Sequence, residues 1–163
     1  EAHLRSRCRE AVKAFDGNVA YATKAFLCTE MARLAYQEGM NLDVATGGEL
    51  FIARKADIPG ERIVMHGNNK SLEELNMALR EGVGRIVVDS FNELDRLEEL
   101  CADLNMSAKI LLRVTPGVEV HTHEFVSTGQ EDSKFGFTVK SGVAEAAVDR
   151  ARSSKYLELL RSK

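Results

Sequence analysis

Lys24 ends a short strand-like run, Tyr21-Ala22-Thr23-Lys24-Ala25-Phe26, and its type and placement suit covalent chemistry. A lysine at the carboxyl edge of a sheet projects into a site where lost hydration favours the neutral amine, the form that condenses with an aldehyde. The plain alternative is a solvated lysine at a strand end. Asp43 and Arg113 are strand-end charges of the kind that orient such an amine, or else a structural ion pair. His66 opens the cluster His66-Gly67-Asn68-Asn69 and either faces the same pocket or caps its own loop. Gly47 and Gly48 permit a tight turn with close backbone approach. His121-Thr122-His123-Glu124 holds metal-ligating residue types. Two histidines two apart, with no second cluster nearby, have weak ligand geometry, so a polar loop is expected there and no metal.

The elements that must position these residues alternate along the chain. Glu1 to Phe15 reads as an amphipathic helix with Leu4, Cys8, Val12 and Phe15 on one face, closed by Asp16-Gly17. Asn18 to Thr23 is then a strand, and Cys28 to Glu38 a helix stopped by Gly39. A second strand runs from Asn41 to Ala45, followed by Thr46-Gly47-Gly48 and a helix from Glu49 to about Lys55. Arg62 to Met65 is a third strand. Ser71 with Glu74, and again Ser90 with Glu93, have capping-box spacing ahead of apolar helical positions. Arg85 to Val88 and Lys109 to Val114 are the fourth and fifth strands. Ser141 to Ser153 is helical, and Tyr156 to Leu160 begins a further strand.

Strands rich in Val, Ile and Leu that alternate with helices argue for parallel pairing and an α/β fold. Periodicity does not choose between an open doubly wound sheet and a βα barrel. The recurrence of polar, Gly-rich clusters after successive strands favours the barrel, whose active sites are assembled from such loops. The rhythm breaks between Thr115 and Phe137, a long connection holding His121, His123, Glu124, Glu131, Asp132, Ser133 and Lys134. A loop of that length calls for a functional reading.

Composition narrows the classes further. The formal charge is -3 and the charged residues are interspersed, so no basic stripe marks a nucleic-acid partner. No apolar run approaches the ~20 residues of a membrane span, and the first residues lack a signal-peptide pattern, which implies a cytoplasmic protein. Cys8, Cys28 and Cys101 are odd in number and widely spaced, as expected of reduced core thiols. At 163 residues the chain falls short of the roughly 250 usual for a closed eight-unit barrel.

The Lys24 segment resembles the cofactor-lysine segment of the diaminopimelate decarboxylase family, within the alanine-racemase-like class of pyridoxal-phosphate barrels. Four further stretches agree in order and spacing. They are Leu42 to Leu50, His66 to Ser71, Leu112 to Val118, and His121 to Glu124 running on to Glu131-Asp132-Ser133-Lys134-Phe135-Gly136-Phe137. Ornithine and arginine decarboxylases share the Lys24 segment, whereas the His66 and Glu131 stretches narrow the match to the diaminopimelate branch.

The resemblance implies an incomplete parallel (β/α) barrel over residues 1–163, without the family's carboxy-terminal β domain. It implies that Lys24 holds pyridoxal 5'-phosphate as a Schiff base, with Asp43 and Arg113 beside it and His66 in the cofactor pocket. It places Lys134 near a dimer interface. The implied activity is decarboxylation of meso-2,6-diaminopimelate to L-lysine by the parent enzyme, a homo-oligomer acting on a small amino acid. Two other readings stay open: a non-catalytic fragment that self-associates through strand edges expected to be long and apolar, or another pyridoxal-phosphate barrel enzyme such as an ornithine or arginine decarboxylase or a racemase.

Overall fold

The computed structural model describes residues 1–116 and 135–160. His121, His123, Glu124, Glu131, Asp132, Ser133 and Lys134, on which the long-loop and metal readings turned, lie outside the described residues. The chain falls into two compact units, residues 1–67 with 76–85, and residues 68–75 with 86–163. All strand pairings within both are parallel, and helices separate successive strands, so the fold is parallel α/β as the sequence pattern predicts.

In the first unit, helix α1 (Ala2–Ala14) leads to strand β1 (Ala20–Ala22), helix α2 (Thr29–Gln37), strand β2 (Asn41–Val44), helix α3 (Gly47–Lys55) and strand β3 (Ile63–Met65). β2 lies between β1 and β3, with Ala22 level with Asp43 and Asp43 level with Val64. The alternation of β2 sends Leu42 and Val44 into the core while Asn41 and Asp43 stay half-buried, the period-two division expected of a strand. Parallel pairing in this register brings the carboxyl ends of the three strands together, and each is followed at once by Lys24, Thr46 or His66. α2 ends against Gly39 at φ 93 and packs Ala32, Leu34 and Ala35 inward. Gly60 answers a different constraint. A Cβ there would lie 2.0 Å from the Glu81 carbonyl oxygen, so two backbones pass closer than any side chain allows.

Two expectations for this unit change. Of the predicted α1 face, Cys8 alone is buried, while Leu4 and Phe15 are exposed. β1 ends at Ala22, and Lys24 sits in the single 3-10 turn Thr23–Ala25 that follows.

In the second unit, strand β4 (Arg85–Val88) pairs with β5 (Ala108–Leu112), and β5 with β8 (Leu157–Leu159). Helix α5 (Phe91–Leu104) joins the first pair, and helix α6 (Val143–Ser153) precedes β8. Between β5 and α6 a small ladder forms from β6 (Val114–Thr115) and β7 (Phe137–Thr138). Helix α4 (Leu72–Arg80) has its first turn in this unit. Leu94, Leu97, Cys101, Ile86 and Ile110 fill the core, and Phe137 meets Phe91 edge to face at 5.1 Å between ring centroids.

The predicted strand Lys109 to Val114 is interrupted at Arg113. The Arg113 amide donates to the Val88 carbonyl at 2.9 Å, and its carbonyl accepts from the Phe137 amide at 2.8 Å. One residue therefore turns the chain from the β4–β5 ladder to the β6–β7 ladder. β1 and β8 each have three residues, so the edges expected to be long are short. Of the three thiols, Cys8 and Cys101 are buried as expected of core cysteines, but Cys28 is exposed at the head of α2.

Candidate functional site

Lys24 is exposed, so the turn that carries it presents the amine outward rather than burying it. What precedes it is fixed firmly. Thr23 is 1% exposed, and its hydroxyl lies 2.9 Å from the Asp43 carbonyl oxygen and 3.0 Å from Glu49 Oε2. Both neighbours are acceptors, so the one hydroxyl proton is shared between them. Glu49 also accepts from the Ala45 amide at 2.6 Å, and its own amide donates to the Thr46 hydroxyl at 3.2 Å. Thr46 and Glu49 thus form a cap at the start of α3 whose carboxylate reaches past the cap to the end of β1.

Asp43 and His66 stand at the ends of neighbouring strands, with His66 Nδ1 3.4 Å from Asp43 Oδ1. The His66 amide donates to the Val44 carbonyl at 2.7 Å, which ties the loop after β3 back to β2. Gly67 follows at φ 102, and a Cβ there would lie 2.7 Å from the Ala45 carbonyl oxygen, so the loop closes only with glycine. Among the described residues, Asp43 Oδ1 is buried and accepts no hydrogen bond. A buried carboxylate oxygen lacking a donor is costly unless a partner supplies one. Together with the outward amine of Lys24, that orphaned acceptor fits pyridoxal phosphate, a group that offers an aldehyde and several polar atoms.

Arg113, in the second unit, has its Nη1 3.5 Å from Asp89 Oδ2 and its guanidinium 4.4 Å above the Phe135 ring. Asp89 is 6% exposed, and among the described residues both of its carboxylate oxygens lack hydrogen bonds. Close by, Lys70 Nζ donates to the Val87 carbonyl at 2.7 Å and meets Glu93 Oε1 at 2.6 Å. Glu93 Oε2 accepts from the Asp89 amide at 3.2 Å, and the Glu93 amide donates to the Ser90 hydroxyl at 3.2 Å. Burial pushes the Glu93 carboxyl up, with Lys70 pulling the other way. The second unit thus repeats the arrangement of Thr46 and Glu49: a glutamate three residues into the helix reaches back to the amide before the cap.

A strand-end lysine, a neighbouring carboxylate and histidine, and parallel strands with helical connections define a cofactor-binding α/β domain. The family model for the pyridoxal-dependent decarboxylase, pyridoxal binding domain, matches residues 1–160, and the chain belongs to that family. It is 52% identical over 162 residues to the diaminopimelate decarboxylase of Mycobacterium tuberculosis, a match that covers 98% of this chain and 36% of that protein. With the enzyme of the same name from Bacillus subtilis it is 49% identical, over 96% of this chain and 37% of that protein. Among solved structures, the diaminopimelate decarboxylase of M. jannaschii in co-complex with L-lysine superposes with a TM-score of 0.83 at 33% identity, covering 97% of this chain and 38% of that one. The corresponding Helicobacter pylori structure, complexed with L-lysine, gives 0.84 at 30% identity, over 96% and 40%. The chain spans about a third of the length of the curated relatives it matches.

Lys24, Asp43, His66 and Arg113 lie at or just beyond the carboxyl ends of β1, β2, β3 and β5 respectively. Within the first unit Asp43 Oδ1 lies 3.4 Å from His66 Nδ1, and within the second Arg113 Nη1 lies 3.5 Å from Asp89 Oδ2. The His66 amide ties its loop to the Val44 carbonyl, and its ring lies beside Asp43. Thr23, Glu49, Lys70 and Asp89 escaped sequence reasoning. The spacing of Thr46 to Glu49 matches that of Ser71 to Glu74, and it was a legible signal for Glu49.

Proposed function

We propose that Lys24 holds pyridoxal 5'-phosphate in an enzyme that decarboxylates meso-2,6-diaminopimelate to L-lysine. The observation that carries this reading is the row of strand ends in the first unit: Lys24 after β1, Asp43 on β2, and His66 after β3, within 3.4 Å of Asp43. Membership in the pyridoxal-binding family and the relatives named diaminopimelate decarboxylase support it, as does the L-lysine held by two structural neighbours. When bound, the cofactor supplies an electron sink for the charge left as carbon dioxide departs.

The chain's own residues have simpler tasks. Lys24 provides the amine that anchors the cofactor's aldehyde. Asp43 and His66 offer a carboxylate and an imidazole to its polar groups, with His66 Nδ1 3.4 Å from Asp43 Oδ1. Arg113, held between Asp89 and Phe135, is a fixed cation for the cofactor or substrate.

This reading includes a homodimer and a cytoplasmic location. The experiment is carbon dioxide release by the intact protein with pyridoxal phosphate, offered meso-diaminopimelate, ornithine or arginine in turn. Release from meso-diaminopimelate alone, lost in Lys24→Ala, is expected. Preference for ornithine or arginine would move the protein to a sister activity.

A further inference from the structure

The turn that carries Lys24 is anchored by a side chain with no place in the proposed chemistry. Thr23 is the one polar residue of the segment from Ala20 to Phe26 that is buried, at 1% exposure, and its hydroxyl spans two elements. On one side is the Asp43 carbonyl of β2 at 2.9 Å, and on the other Glu49 Oε2 of α3 at 3.0 Å. The same Glu49 oxygen is held by the Ala45 amide at 2.6 Å, so it is itself immobile. A single 3-10 turn has no helical ladder to keep it rigid, and such short turns open readily unless tertiary contacts hold them. Lys24 is exposed, and the turn is held by its neighbours: by Thr23 before it, and by the Tyr21 hydroxyl, which donates to the Phe26 carbonyl at 2.7 Å.

We propose that Thr23 is a positioning residue for Lys24, and that the Asp43 carbonyl–Thr23 hydroxyl–Glu49 carboxylate bridge sets the direction in which the lysine amine leaves the end of β1. The inference rests on the reading of Lys24 as the cofactor-holding residue. Its physical content is separate: a hydroxyl buried between two acceptors decides the conformation of its exposed neighbour. A methyl in place of the hydroxyl keeps the shape of the side chain but removes the one proton shared by the Asp43 carbonyl and Glu49 Oε2, leaving Glu49 held by the Ala45 amide and the turn without its buried tie.

The test compares the intact protein with its Thr23→Val, Thr23→Ser and Glu49→Gln variants by two readouts. The first is amide hydrogen exchange of the peptide spanning Ala22 to Phe26 without cofactor. The second is the pH titration of visible absorption after loading with pyridoxal phosphate. Thr23→Val is expected to exchange about tenfold faster, the consequence of one lost buried hydrogen bond. Its absorption midpoint should shift, while Thr23→Ser restores both values to within about twofold of the unaltered protein. If Thr23→Val fails to fold, Glu49→Gln carries the same expectation. Unchanged exchange and an unchanged midpoint in whichever variant folds would overturn the proposal. If no visible band forms in the unaltered protein, the cofactor reading of Lys24 fails, and the exchange rates still decide whether the bridge holds the turn.

Discussion

Glu93 and Lys70 meet at 2.6 Å with both side chains almost wholly removed from water. Lys70 precedes α4 and Glu93 lies in the first turn of α5, so the pair ties two loops at strand ends to the carbonyl of Val87 on β4. Removing one partner of such a pair leaves the other charged and desolvated, a loss of about 3–5 kcal/mol. Lys70→Met is therefore expected to lower stability by that amount in urea unfolding, and Lys70→Met with Glu93→Leu by clearly less. A loss in the double variant equal to the sum of the losses in Lys70→Met and Glu93→Leu alone would mean that the two side chains act independently.

Gly60→Ala places a methyl 2.0 Å from the Glu81 carbonyl oxygen, a contact that backbone must yield to relieve. We expect a loss near the upper end of the overpacking range, about 3 kcal/mol, in the same unfolding assay. A midpoint within error of the parent would show that the two backbone segments separate without cost.

The three thiols should divide by burial. Burial, with the charge of Glu98 second, pushes the Cys101 thiol up to about 11, and burial raises Cys8 as well. Cys28 is exposed. Alkylation of the native protein under mildly alkaline conditions should label Cys28 first, with Cys8 and Cys101 reacting only after denaturation. Peptide mass mapping reads the order, and early label on Cys101 would contradict the packing of α5.

Arg5, and after it Arg9, hold the Glu38 carboxyl below the ordinary glutamate range. The folded value lies below the unfolded one, so the ion pairs contribute fully above the ordinary range and their contribution fades as pH falls through the lowered folded value. Thermal melts across acid pH should therefore show a decline that Glu38→Gln flattens. Identical acid limbs in both proteins would remove the pairing of α1 with the end of α2 from the account.

The order of elements was legible because each strand is a short apolar run punctuated by polar, Gly-rich residues, and the starts of α3, α4 and α5 carry caps at Thr46, Ser71 and Ser90. Ser71 and Glu74 behave as their spacing says: the Ser71 amide donates to Glu74 Oε2 at 2.9 Å and the Glu74 amide to the Ser71 hydroxyl at 3.2 Å. Ser90 and Glu93 share that spacing but only half the geometry, because the Glu93 carboxylate turns inward to Lys70. Local pattern cannot foresee a partner 23 residues away. The same limit hid the bridge from Thr23 to Glu49, 26 residues apart, while Lys24 beside it stood out through its type and its place after a strand. β6 and β7 were missed for a related reason, since two-residue strands carry no periodicity and exist through pairing.

The central claim is that Lys24 carries the cofactor. The most direct measurement is borohydride reduction of the intact protein loaded with pyridoxal phosphate, followed by proteolysis and mass mapping of the modified peptides. The account predicts that the reduced pyridoxyl group sits on Lys24, in stoichiometric yield and in preference to every other lysine. Label spread evenly over surface lysines, or concentrated on any lysine but Lys24, would contradict it.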